Sequence, residues 1–160
     1  MMLSYRLVRL IESNADMLAT GLERKVMSSA CMSSSHTIPT HELRERVYEI
    51  YRHLGDWLLA KNQQDIEQRY REIGARRAIQ KLPLPEVIQA IVLTKENLWD
   101  YLKAEAVLDC AVEIMSELEL LQMVEQFFDR AIYFATVGYE EQLEHIRSQE
   151  HKAEHEVVAG

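Results

Sequence analysis

Three sets of residues have types and spacings that chemistry uses. His151-Lys152-Ala153-Glu154-His155 follows the order H-x-x-E-H, in which two histidines one helical turn apart hold zinc and the glutamate handles a proton. A catalytic zinc needs a third protein ligand and a walled site. Only five residues follow His155, and Val157 and Val158 are the only apolar side chains near it, so the motif reads as a solvated helix tail. The second is His53, the one histidine inside a strongly amphipathic segment, beside the stripe residue Leu54. An axial haem ligand would have to face inward from a buried helix, and His53 reads instead as a half-exposed packing residue. The third is a set of charges. Extending the apolar stripe Ile66, Tyr70, Ile73 by four residues lands on Arg77, and extending Leu118 by seven lands on Glu125. Charges on inward faces either reach the edge with solvated heads or find opposite partners. Asp129, one residue past the same seam, completes a candidate polar network of Arg77, Glu125 and Asp129. Glu140, Glu141 and Glu144 alternate with Arg147 and Lys152 and read as a solvated face.

No G-x-S-x-G elbow, phosphate-binding loop or dinucleotide fingerprint occurs among five glycines, so nucleophilic and phosphoryl-transfer chemistry lacks apparatus. The expectation is a protein that is not an enzyme, with no catalytic residues, no cofactor and no metal. A net charge of -8 over 160 residues argues against a nucleic-acid or anionic-membrane surface, because such binding runs on clustered Lys and Arg. Two cysteines, Cys31 and Cys110, form no CxxC pair or disulfide framework, which suits a reduced cytoplasmic setting. Arg6, Arg9 and Glu12 interrupt the apolar amino terminus, which is neither a signal peptide nor a membrane span.

The elements that would position these residues are helical throughout. A first helix is expected from Leu3 to about Met27, with Val8, Ile11, Ala15, Leu18, Leu22 and Val26 inward. The Ser-rich segment 28–39 loses all periodicity and reads as a linker. Thr40 is placed to cap a second helix with stripe Leu43, Val47, Ile50, Leu54 and Trp57, ending near Asn62, and Asp65 to cap a third. Leu82-Pro83-Leu84-Pro85 ends that third helix and opens a fourth with a wide apolar arc around Val87, Ile91, Leu98 and Tyr101. A weak junction at 103–108 leads into the last segment. From Asp109 to Glu156 there is no proline and only Gly138 among glycines, with a seam of Leu118, Leu121, Phe128, Ile132, Ala135, Tyr139 and Ile146. As one helix it would reach roughly 70 Å, beyond a body about 40 Å across. The architecture expected is an all-α antiparallel helical bundle of about five helices with a long carboxyl-terminal helix. The alternative is a globin-like topology without haem. Residues 1–139 would form a sensor body and 140–160 an extended helix and polar tail.

The stretches YREIGARRAIQKLPLPEVIQAIVLTKENLWDYL, Tyr70 to Leu102, and FFDRAIYFATVGYEEQ, Phe127 to Gln142, resemble the amino-terminal domain of RsbRD-type stressosome co-antagonists, a kind of domain that also stands ahead of some bacterial sensor histidine kinases. The matching positions are Tyr70, Gly74, Arg77, Ala78, Leu84, Trp99, Phe128, Asp129, Tyr133 and Tyr139, each with a packing reading. The resemblance implies a non-catalytic, helical, often dimeric input module of bacterial stress or sensory signalling. The chain departs from the usual arrangement by ending near where an output domain would begin, so signalling within one chain is not carried over. The competing function is a ligand- or haem-binding globin-like sensor. Because Tyr139, Leu143 and Ile146 fall on turns expected to pass the body, they form a candidate dimer or output surface. A homodimer or a signalling-protein partner is expected there, and no nucleic acid or membrane insertion.

Overall fold

The computed structural model describes residues 2–60, 62–105 and 111–159. Their elements are six α-helices and one 3-10 helix, with no strand: α1 Met2–Ser13, α2 Ala15–Ser28, the 3-10 segment Ala30–Thr37, α3 Thr40–Ala60, α4 Gln63–Ile79, α5 Leu84–Glu105 and α6 Ala111–Ala159. Of the expected junction at 103–108, residues 103–105 continue α5 and 106–108 lie outside the described residues, as does Cys110.

The first expected helix is two. Asn14 sits at φ -119°, ψ 20°, and its side-chain amide donates to the Leu10 carbonyl at 2.9 Å. A short polar side chain that competes for the carbonyl one turn back kinks the helix there, yet Leu7, Val8, Ile11, Leu18, Leu22 and Val26 still share the core face. The Ser-rich linker is also more ordered than its lack of periodicity suggests. It folds as a 3-10 segment bent at Met32, because Met32 drops into the core while His36 Nε2 donates to the Val26 carbonyl at 2.9 Å and the Ser34 amide donates to Glu86 at 2.9 Å.

Two helix starts differ from expectation. Thr40 is already the first helical residue, and the Pro39 carbonyl accepts from the amides of Glu42 and Leu43. Asn62, not Asp65, caps α4 by accepting from the amides of Gln64 and Asp65. At the far end of α4, Lys81 takes the left-handed conformation at φ 59°, with Leu82 N–H bonded to Arg77 O and Lys81 N–H to Ala78 O. This Schellman arrangement ends the helix at Ile79, before the prolines are reached.

The main core joins all six α-helices. Its aromatic spine runs His53, Tyr70, Phe127, Phe128, each ring edge-on to the next with centroids 5.2–5.7 Å apart, crossing from α3 through α4 to α6. The Trp57 indole N–H donates to the Met123 carbonyl at 3.0 Å. A smaller cluster of Ala78, Val87 and Tyr139, with Leu82, Leu84 and Leu143 against it, fills the turn between α4 and α5.

One buried polar group organises the α2–α3–α5 interface. Asn97, 5% exposed, donates from Nδ2 to the Leu18 carbonyl at 2.8 Å and to the Tyr51 hydroxyl at 3.2 Å, and its Oδ1 accepts from Lys25 at 3.1 Å. The Tyr51 hydroxyl donates in turn to the Thr94 carbonyl at 3.3 Å, and burial pushes the phenol up to about 12. Gly21 makes room, since a Cβ there would stand 2.7 Å from Asn97 Oδ1. Asn97→Ala should cost about 2–3 kcal/mol in urea unfolding, because it strips partners from several enclosed groups at once.

Candidate functional site

Helix α6 is continuous over 49 residues, roughly 73 Å at 1.5 Å per residue, and it runs through Gly138 without a break. Its inward face is Leu120, Val124, Phe127, Phe128, Ala131, Phe134, Ala135 and Tyr139. The seam expected from the sequence is therefore out of phase at its start. Leu118 is 55% exposed, and Leu121 and Ile132 are only partly buried, whereas Phe128, Ala135 and Tyr139 are inward as expected. The cause is a helix apolar on more than one side, whose orientation is fixed by what it must press against.

What it presses against is α4. A methyl added at Gly74 would overlap the Ala135 carbonyl and lie 2.8 Å from the Tyr139 amide nitrogen, and one added at Gly138 would overlap the Arg71 backbone, with the carbonyl carbon 2.7 Å away. Two glycines, one from each helix, let the backbones touch. Contacts rise together along both helices, from Tyr70 with Phe127 to Gly74 with Ala135 and Tyr139, so α4 and α6 run the same way, and α5 runs back along α6 from Val87 beside Tyr139 to Trp99 at Glu125. Side chains close the crossing on two sides. Arg71 reaches Glu67 at 3.2 Å and Glu141 at 3.3 Å, and the Tyr139 hydroxyl donates to the Leu82 carbonyl at 2.6 Å.

The expected polar network does not assemble. Glu125 accepts from the Trp99 indole N–H at 2.9 Å and from Lys95 at 3.2 Å, which ties α6 to α5. Arg77 lies in a different cluster, near Arg46, Arg76, Glu49 and Glu42, and donates to Gln80 at 3.2 Å. Asp129 is exposed, and its neighbour Arg130 stacks over the Trp57 ring at 5.2 Å. Glu125 is held by α5 while Arg77 lies among the charges of α3 and α4, so extending two stripes by helical steps placed both charges near the core without placing them together. The candidate output residues also divide. Tyr139 is buried and Leu143 packs on the small cluster at the α4–α5 turn, so the body covers one turn more of α6 than expected; Ile146 is half-buried and every residue from 147 to 159 is exposed.

The histidines are placed as follows. His53 Nδ1 lies 3.4 Å from the Tyr70 hydroxyl, its ring edge-on to Tyr70, and burial lowers its pKa while Arg69 adds to the effect. Tyr70 is fully buried, which raises its phenol. His151 and His155 stack edge-on at 4.6 Å on the exposed tail, and no group of three or more metal-ligating side chains occurs among the described residues. Sequence reasoning missed Asn97 and the second glycine. Asn97 was visible as a lone amide inside a wide apolar arc, and Gly138 as the only helix-weakening residue in a long run without proline.

A family model described as the RsbT co-antagonist protein rsbRD N-terminal domain matches residues 14–153. No curated protein and no solved structure matches the chain. The match spans most of the sequence, so the chain belongs to that family, which is one of stressosome-associated signalling and regulatory domains. No helix among the described residues is long and apolar enough to cross a membrane.

Two outcomes are expected at this site. Gly74→Ala and Gly138→Ala should each lower stability by about 3 kcal/mol or more in denaturant unfolding, although alanine in a free helix gains about 1 kcal/mol over glycine. An isolated α6 peptide should respond to Gly138→Ala in the opposite direction by circular dichroism. For His53 the unfolded chain titrates near 6.5 and the folded chain lower, so the unfolded state binds the extra proton. Its stabilising contribution is present above 6.5 and lost as pH falls through the folded value. Between pH 7 and 5 the parent should lose more stability than His53→Gln in parallel melts.

Proposed function

We propose that this domain is a non-catalytic signal-input module of bacterial stress or sensory signalling, acting in the cytoplasm through α6. A stimulus acting on the body shifts the packing of α4 on α6, and the exposed extension carries that shift to a second copy of the chain or to a signalling partner. The observation that carries this reading is the continuity of α6 from the glycine crossing into a fully exposed segment. A helix held at its middle by backbone contact moves as one piece, so a change at the crossing reaches its end. A stimulus shifts such an equilibrium only through different affinity for the two packings.

Homodimerisation along the extension is the form of output favoured. Half-buried Ile146 and exposed Ala153 and Val157 recur at helical spacing, beginning one turn past Leu143, the last residue packed on the small cluster. Glu150 falls within the same stripe, which makes the seam weak and the dimer dependent on concentration. The family description names RsbT as the antagonised protein, and a partner of that kind is the alternative occupant of this surface.

Sedimentation velocity at micromolar concentration should show monomer–dimer exchange for the intact chain and a monomer for Ile146→Glu/Val157→Glu, with unchanged melting of the body. A clean monomer for the intact chain across that range would defeat the dimer. These two positions are preferred to Leu143 because a charge at Leu143 would also disturb the cluster under it.

A further inference from the structure

Helix α4 carries four arginines, and three of them have carboxylate partners. Arg69 meets Asp56 at 2.9 Å, Arg71 meets Glu67 and Glu141, and Arg76 meets Glu49 at 3.4 Å. Arg77 has no carboxylate at ion-pair distance among the described residues and bonds only to the neutral amide of Gln80. It borders a cavity of about 70 Å³ lined by α2, the 3-10 segment, α3, α4 and α5 and open at one rim. The walls are mostly apolar, including Val26, Met32, Val47, Val87 and Ile91. The other polar groups on the wall are mostly engaged: Arg46 with Glu42 at 2.6 Å, Glu86 with the Ser34 amide, and the Thr94 hydroxyl with the Ala90 carbonyl at 2.7 Å, while Ser35 offers a hydroxyl.

A mostly apolar, partly open space beside an unpaired guanidinium matches an alkyl group ending in an anion. Size narrows it further. A cavity of about 150 Å³ holds benzene, with six heavy atoms, so about 70 Å³ holds roughly half that many, with the charged end projecting to the rim. We propose that this cavity binds a short-chain monocarboxylate of roughly two to four carbons, its alkyl end against Val87 and Ile91 and its carboxylate on Arg77. The charge setting of Arg77 supports this. Burial, with Arg46 and Arg76 nearby, pulls the Arg77 guanidinium down to about 10, so the cation is held in an unfavourable setting that an anion relieves. Of the charged groups on the wall, Arg46 is paired with Glu42 and the Glu86 carboxylate accepts from the Ser34 amide, so Arg77 is the charge left for a ligand.

The site is also placed to matter. Residues 73–77 of α4 present Ile73 and Arg77 to the cavity and Gly74 to α6, so one helical turn faces both. Occupancy would therefore bias the crossing. This coupling rests on the output role proposed for α6, and the binding itself does not.

The test uses the full chain, with sodium propionate and butyrate titrated against the methyl resonances of Val87 and Ile91 at constant ionic strength. Saturable shifts are expected in the millimolar range for about five heavy atoms. Arg77→Gln should weaken binding at least tenfold and Arg77→Lys should recover part of it. Butyramide should bind at least tenfold more weakly than butyrate. Ala90→Val, which fills the cavity and leaves Arg77 in place, should abolish the response and serves as the second variant if Arg77→Gln is unstable. The proposal is overturned if butyramide or inorganic phosphate binds as well as butyrate, or if nothing saturates below about 50 mM. Sedimentation with and without propionate then reads the coupling: a changed dimer fraction supports it, and an unchanged one with binding intact removes the coupling alone.

Discussion

The structure depends on backbone touching backbone where α4 crosses α6. Gly74 and Gly138 leave no side chain between the helices, and every neighbouring contact inherits its position from that approach. Side chains then interlock over a long interface: the aromatic spine from His53 to Phe128 on one side of the crossing, Tyr139 reaching the Leu82 carbonyl on the other. Close approach raises the number of atoms within dispersion range of each other, and it is also unforgiving, because backbone cannot move aside as a flexible side chain does. The salt bridges from Arg71 to Glu67 and Glu141 add orientation more than energy, since all three heads are partly solvated.

A second constraint fixes the other half of the bundle. Asn97 reaches from α5 to the Leu18 carbonyl, Tyr51 and Lys25, and it fits because Gly21 lacks a Cβ. An enclosed amide with all its partners specifies one rotation of α5 against α2 and α3, whereas the aliphatic contacts around it would tolerate several. The 3-10 segment is held in the same manner. Its one large apolar residue, Met32, supplies burial, and Glu86 and the Val26 carbonyl supply the hydrogen bonds that its Ser-rich sequence could have spent on solvent.

The helical class, the stripes of α2 to α5, the length of α6 and the family were legible in the residues, because helical periodicity survives without tertiary information. The phase of α6 was not. Its apolar residues cover too wide an arc, and choosing Leu118 as the starting point rotated the seam away from Leu120 and Val124. Gly138 would have settled the question, since counting back from it by alternate steps of four and three reaches Phe134, Ala131, Phe127, Val124 and Leu120. Partners across helices were equally illegible. Both Arg77 and Glu125 lie near the core surface as their stripes implied, yet Trp99 and Lys95 claim Glu125 while Arg77 turns to a cavity formed by five elements. Asn14 and Asn62 show the local version, in which a short amide outcompetes the expected continuation or cap by reaching a backbone group within one turn.

The position of Gly138 along α6 carries a mechanical corollary. About twenty residues of unbroken helix lie beyond it, a stiff arm of roughly 30 Å with its fulcrum at the place where sliding is most restricted. Tilting that arm by about 10° would displace its tip by about 5 Å, close to one helical pitch, while atoms beside the fulcrum would move by less than a bond length. The geometry multiplies displacement, so a bend confined to the turns beside Gly138, with Leu120 to Ala135 left in place, would be plainly resolved at the tip.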